Sequence, residues 1–242
     1  MYGRPDAALR DAECALKDAR EVGQAATLLF ALSLTGLTKI LSGNYEAALA
    51  QSEEQESVGT EKDAVLRKAQ GKIQRGCVCS LTNKSSEAVE MITSGLIEFR
   101  STGATYFVPF YLSCLARAHT DLGQFDAAGR AISEAIAAFE ATGERWWEAE
   151  VHRVAGEIAL TSPSPDVAKA EANISRALAV AQKQQARSWE LRAAISMARL
   201  LRHQRKRDEA RDRLAPVYGW FTEGFDTLDL KEVKALLEDL AS

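Results

Sequence analysis

Alanine recurs at Ala8, Ala48, Ala88, Ala128, Ala170 and Ala210, in steps of 40, 40, 40, 42 and 40 residues. A second column of small residues keeps the same register: Gly36, Gly76, Ala116, Gly156 and Ala198. A small side chain at a fixed period marks a place where two helices approach closely, and a period of roughly 20–50 residues is the mark of a repeat architecture. The 242 residues therefore need no single central core, because each unit of a solenoid packs mainly on its neighbours. Only five prolines interrupt the chain, so helix is available along its length.

Composition excludes several functions. A formal charge of −4 lacks the basic footprint of a nucleic-acid binder. No apolar run reaches the ~20 residues of a membrane-spanning helix. The stretch from Met1 to Asp6 lacks the apolar core of a secretory signal. Cys14, Cys77, Cys79 and Cys114 show no paired framework and are expected as buried or half-buried free thiols of a cytoplasmic protein. Cys77 and Cys79 point to different sides of a helix, a poor metal pair.

Stacking the units gives two helices in each. The turn between them is clearest at Gly43-Asn44-Tyr45-Glu46-Ala47-Ala48 and at Gly123-Gln124-Phe125-Asp126-Ala127-Ala128. Glycine supplies the left-handed residue that ends the first helix, and Asn83 takes that place in the third turn. Glu46 and Asp126 face the positive end of the following helix. After the turn, apolar residues recur three and four apart, as in Ala128, Ile132, Ala135 and Ile136. The pattern predicts helices over 5–22, 24–42, 45–58, 62–82, 86–101, 104–122, 125–141, 144–161, 166–185, 187–204, 207–222 and 227–241. It predicts an all-α superhelical solenoid of antiparallel helix pairs, one domain over 1–242. Its units turn near 3, 43, 83, 123, 163 and 205, and helix 227–241 caps it.

This pattern resembles the tetratricopeptide repeat, whose small, turn and packing positions are filled here by Ala116, Gly123, Ala128, Ile132 and Ala135. The period differs, 40 against that family's 34, which lengthens each helix by about 4.5 Å at 1.5 Å per residue. The segments 148–160, 188–194 and 215–221 look like the C-terminal array of bacterial adenylate/guanylate cyclase–ATPase fusion proteins. That resemblance covers only the family's helical tail and implies a regulatory, signal-transducing role.

Catalytic motifs are missing. The chain has no Walker-type phosphate loop and no Gly-x-Ser-x-Gly elbow. His119, His152 and His203 lie on different repeats without metal-ligand spacing. No cofactor is called for, and a non-catalytic binding scaffold is the expectation. In tetratricopeptide arrays the first helix of each unit lines a concave groove. The resemblance carries that groove to Phe30, Ser33, Leu37 and Ile40, then Gln70, Ile73, Cys77 and Ser80, then Phe110, Ser113, Arg117 and Thr120. It continues through Glu150, Arg153, Glu157 and Leu160 to Arg192, Ile195, Arg199 and Arg202.

The groove so drawn runs from apolar to basic. One expectation is a cradle for an acidic peptide, in which Arg117, Arg153, Arg192, Arg199 and Arg202 pair carboxylates through the planar guanidinium fork. The other is a solvated face whose arginines pair with Glu150, Glu157 and Glu190. A sensor for a small anionic metabolite is the alternative function. Trp147 and Trp189, with Phe107 in the same column, are expected in the inter-repeat core, whereas Trp146 is expected to be exposed. At the N-terminus no helix precedes Leu9, Ala12 and Leu16. That edge is expected to be open, as in a fragment of a longer protein or a chain covered by a second copy.

Overall fold

The computed structural model describes residues 3–241. Among them are twelve helices and no strand: α1 (Pro5–Val22), α2 (Ala25–Leu41), α3 (Tyr45–Glu61), α4 (Val65–Leu81), α5 (Ser85–Ser101), α6 (Val108–Asp121), α7 (Phe125–Thr142), α8 (Glu148–Thr161), α9 (Val167–Lys183), α10 (Arg187–His203), α11 (Arg207–Tyr218) and α12 (Leu228–Ala241). The chain is an all-α solenoid of antiparallel helix pairs. Each even-numbered helix packs on the next, α2 on α4 through to α10 on α12, and forms an inner layer. The odd-numbered helices pack outside it.

The turns show why the sequence folds this way. At the end of α2 the Gly43 N–H donates to Ile40 O (3.1 Å) and the Asn44 N–H to Lys39 O (2.9 Å). These two bonds satisfy carbonyls that the helix end would leave unpaired, and they require a left-handed residue at Gly43, whose φ is 75°. The third turn repeats the arrangement with Asn83 at φ 61° and the Lys84 N–H on Cys79 O.

The two small-residue columns mark helix contacts. Ala48, Ala88, Ala128, Ala170 and Ala210 have no exposed surface. Opposite them, a Cβ on Gly76 would lie 2.6 Å from Ile92 Cγ1, and one on Gly156 would lie 2.7 Å from Ile174 Cγ1. Ala8 departs from its column and is exposed.

Some boundaries differ from expectation. Gly59 lies inside α3 rather than ending it, at a close approach where a Cβ would stand 2.9 Å from the Lys68 backbone nitrogen. Helices α6 and α8 begin four residues later than the pattern predicts. Before α6, Phe107 is left-handed (φ 63°) and its N–H donates to the Glu144 carboxylate (3.0 Å). Helix α11 stops at Tyr218, and residues 219–227 form a separate connection.

That connection corrects the expectation of an open N-terminal edge. The array curls until its ends touch. The Ala7 N–H donates to Glu223 Oε1 and the Gly224 N–H to Asp6 Oδ2, both at 3.0 Å. Gly3 is buried against Trp220 and Phe221, and Pro5 lies on Gly224. The Arg187 guanidinium sits 5.0 Å from the Trp220 ring. Arg192 completes the seam, donating to Leu41 O at the end of α2 (2.9 Å) and to Asp229 in α12 (2.7 Å). Along α1, Ala12, Leu16 and Ala19 are buried, and Glu13, Lys17, Asp18 and Glu21 present a polar outer face.

Candidate functional site

Curling so tightly packs the inner helices against one another, and most of the predicted groove becomes interior. Ser33, Leu37, Ile40, Gln70, Ile73, Cys77, Ser80, Phe110, Ser113 and Ile195 are all buried. A residue facing a wide groove in an open array here faces a neighbouring helix. Two of the buried polar groups bond locally: Ser80 donates to Cys114 O (2.8 Å), and Gln70 to the Tyr111 hydroxyl (3.2 Å). Burial pushes the Tyr111 hydroxyl and the Cys77 thiol well above their usual ranges. Cys79 and Cys114 are likewise buried, whereas Cys14 is exposed, contrary to the expectation for all four thiols.

The groove stays open at the C-terminal ends of α6, α8 and α10. A cleft of about 600 Å3 lies there, with Val154, Ile158, Leu160 and Leu200 as its apolar floor. Arg117, Thr120, Glu157 and Arg199 rim it, each at a position the repeat register assigned to the groove. A cleft of this size, apolar within and polar at the edge, has the make-up of a ligand site.

The five groove arginines do not form a free basic stripe. Arg153 is buried, with Nε and Nη2 each 2.7 Å from the Glu150 carboxylate and Nη1 2.5 Å from Glu157. Arg192 pairs with Asp229 and lies 3.9 Å from Glu150. Arg117 stands 3.9 Å from Glu157, Arg199 2.7 Å from Glu232 and Arg202 2.9 Å from Asp239. Burial alone would raise the Glu150 carboxyl, but the charges of Arg153, Arg192 and Arg117 outweigh it and hold it at about 2. Glu157 is lowered in the same way, by Arg153 and Arg117 with a hydrogen bond from Ser196. For Glu232 burial prevails, and Asp229 and Glu157 push its carboxyl further up against the pull of Arg199. The expected pairing with Glu150 and Glu157 is therefore present, while Glu190 pairs instead with Arg187 (2.5 Å).

Aromatic residues form a second continuous feature. Trp147, Trp189 and Phe107 are buried, and Trp147 lies 5.4 Å from Trp189 and 6.1 Å from Phe107. Trp146 is 38% exposed, its indole N–H on Glu144 (2.7 Å). Phe30 is exposed at the far end of the inner layer.

Register reasoning missed Arg67, one helical turn before Gln70 on the same face of α4. Its Nη1 donates to Gln70 Oε1 (2.8 Å), Ser33 Oγ (3.2 Å) and the Tyr106 hydroxyl (3.3 Å), and its guanidinium lies 5.1 Å from the Phe30 ring. A spacing of three residues from a groove position is the signal that could have found it.

No three His, Cys, Asp or Glu side chains gather as a metal site among the described residues. No helix there is long and apolar enough to cross a membrane.

No protein-family model matches the chain, and no curated protein matches it by sequence. Its fold is similar to that of solved structures, two of which are Rap proteins. The apo form of RapI aligns at a TM-score of 0.67 with 14% identity, over 96% of this chain and 77% of that one. A Rap protein complexed with competence and sporulation factor aligns at 0.59 with 11% identity, over 96% and 70%. At these identities the likeness is one of fold.

Proposed function

We propose that this chain is a non-catalytic scaffold that holds a polypeptide partner in the cleft at the ends of α6, α8 and α10. The observation that carries the reading is the cleft itself, with an apolar floor and a rim of Arg117, Thr120, Glu157 and Arg199 on three successive inner helices. Such a surface binds by rigid display of a few anchors. Support also comes from the similar fold of a Rap protein that was solved in complex with another factor. Residues 1–242 act as one repeat domain, with Phe30, Phe110, Trp146 and the five arginines divided between contact and support. Arg117, Arg199 and Arg202 are accessible for contact; Phe110, Arg153 and Arg192 support the layer beneath. The finer context is a regulatory array in a bacterial cytoplasmic cyclase–ATPase signalling protein. It rests on the resemblance of segments 148–160, 188–194 and 215–221.

The test is affinity capture of partners from the source lysate by the chain and by Arg117→Gln/Arg199→Gln, which neutralises two part-exposed side chains without setting a new carboxylate beside Glu157 or Glu232. Partners retained by the chain and lost by the variant support the cleft. Equal capture by both refutes its use.

One observation favours a second reading, a small-molecule sensor. A cavity of about 400 Å3 sits at the seam between Pro5, Leu41, Trp189, Arg192 and Asp229, where both ends of the array meet. A metabolite screen read by melting temperature, with a shift abolished in Trp189→Ala, would support it.

A further inference from the structure

Arg67 differs in its surroundings from the groove arginines. Each of those five has a carboxylate within 4 Å, but Arg67 has none among the described residues. Its recorded partners are neutral oxygens, all contacted through Nη1. The Nε–Nη2 edge, which matches a carboxylate with two parallel bonds, has no hydrogen-bond partner among the described residues. The support beneath is fixed: Ser33 and Gln70 are fully buried, and Gln70 is itself oriented by its bond to the Tyr111 hydroxyl. The guanidinium is thus held in one orientation and only half buried, with its charge uncompensated.

Apolar surface flanks it. Phe30 and Leu34, one turn apart on α2, are 52% and 37% exposed. On the other side Tyr106 packs on Phe107 (5.1 Å between rings), which packs on the exposed Trp146 (5.1 Å). The whole strip lies at the opposite end of the inner helices from the cleft. We propose that Arg67 is a binding site for a carboxylate of a polypeptide partner, an Asp or Glu side chain or a C-terminus, whose adjacent apolar side chain rests on Phe30 and Leu34. A pre-oriented guanidinium beside exposed apolar groups favours this chemistry. The proposal rests on the reading of the chain as a polypeptide scaffold.

A phage-displayed random dodecamer library, with free and blocked C-termini, is panned on the full chain and on Arg67→Gln. Glutamine keeps a polar partner for Gln70 and removes the charge. The expected result is enrichment of acidic–apolar sequences by the chain and loss of that enrichment by the variant. For the best peptide, replacing its acid by the amide should weaken binding about ten- to hundredfold on the chain. The same replacement should change nothing further on Arg67→Gln. Arg67→Lys should fall between, and Phe30→Ala, at an exposed position, should weaken binding without affecting the fold.

Acidic enrichment that persists on Arg67→Gln, or peptides enriched without acids, would overturn the site and leave the scaffold standing. No enrichment at all on the chain would overturn the scaffold and the site with it.

Discussion

Gly156→Ala and Gly129→Ala are the same substitution in two helices, and the structure predicts different outcomes. Alanine is favoured over glycine in a helix by about 0.8–1 kcal/mol, and that gain is common to both. A Cβ at Gly129 meets nothing within 4 Å, so Gly129→Ala should stabilise the chain by nearly the full amount. At Gly156 the new carbon would lie 2.7 Å from Ile174 Cγ1 and 3.1 Å from Ala170 O. Ile174 has no exposed surface and cannot swing away, and the Ala170 carbonyl is backbone. Overpacking of this kind costs about 1–3 kcal/mol, which cancels or exceeds the helix gain. The difference between the variants isolates the steric cost, at about 1–3 kcal/mol, or roughly 2–12 °C in Tm at about 2–4 °C per kcal/mol for this size. Thermal melts followed by circular dichroism measure it directly. Hydrogen exchange at α8 and α9 then tests whether the loss is local, as expected for a repeat array. Equal stabilisation of both variants would refute the claim that the small-residue column marks helix contact.

Arg192→Met should loosen the seam at a cost of about 1–3 kcal/mol, because Asp229 and Leu41 O lose a charged donor; faster exchange of the Ala7 and Gly224 amides should report it. Glu150 and Glu157 titrate below their unfolded values. Their stabilisation is complete above about pH 4.3 and should fade as pH drops below it, for Glu150 down to about 2. Urea midpoints taken from pH 6 to 2.5 should therefore fall, and less steeply in Glu150→Gln. His152 is lowered by burial, so it adds stability above its unfolded pKa of about 6.5 that is lost as pH falls. A thiol reagent should modify Cys14 within minutes and leave Cys77, Cys79 and Cys114 protected until unfolding; rapid modification of all four would contradict their burial.

Local chemistry made the fold readable. The left-handed Gly43 and Asn83, the alanine column and the buried Trp147–Trp189 pair follow from rules that act over one helix or one repeat. The turns at Gln185 and Arg205 are placed by the repeat register alone, because the residues at φ 54° and 62° there are not of the type that announces a left-handed position. The groove was legible only where it remains open. Arg117, Thr120, Glu157, Leu160 and Arg199 line the cleft, but no repeat register reveals how tightly successive units curl. That curvature decided that Arg153 would be buried between two carboxylates. It also brought Arg192 to Leu41, a partner 151 positions away in sequence.

Contacts of that kind impose an order on folding. Neighbouring pairs such as α4–α5 can form as soon as they are made, since they join residues close in sequence. The bonds from Ala7 to Glu223 and from Gly224 to Asp6 span 216 and 218 residues. Closing so long a loop adds an entropic cost that grows only slowly with length, but it cannot begin until Glu223 and Gly224 have left the ribosome. During synthesis at about 5–20 residues per second, the N-terminal helix waits on the order of ten seconds or more for its last partner. A chain that stopped before those residues would carry the same preceding repeats with its first helix unlatched.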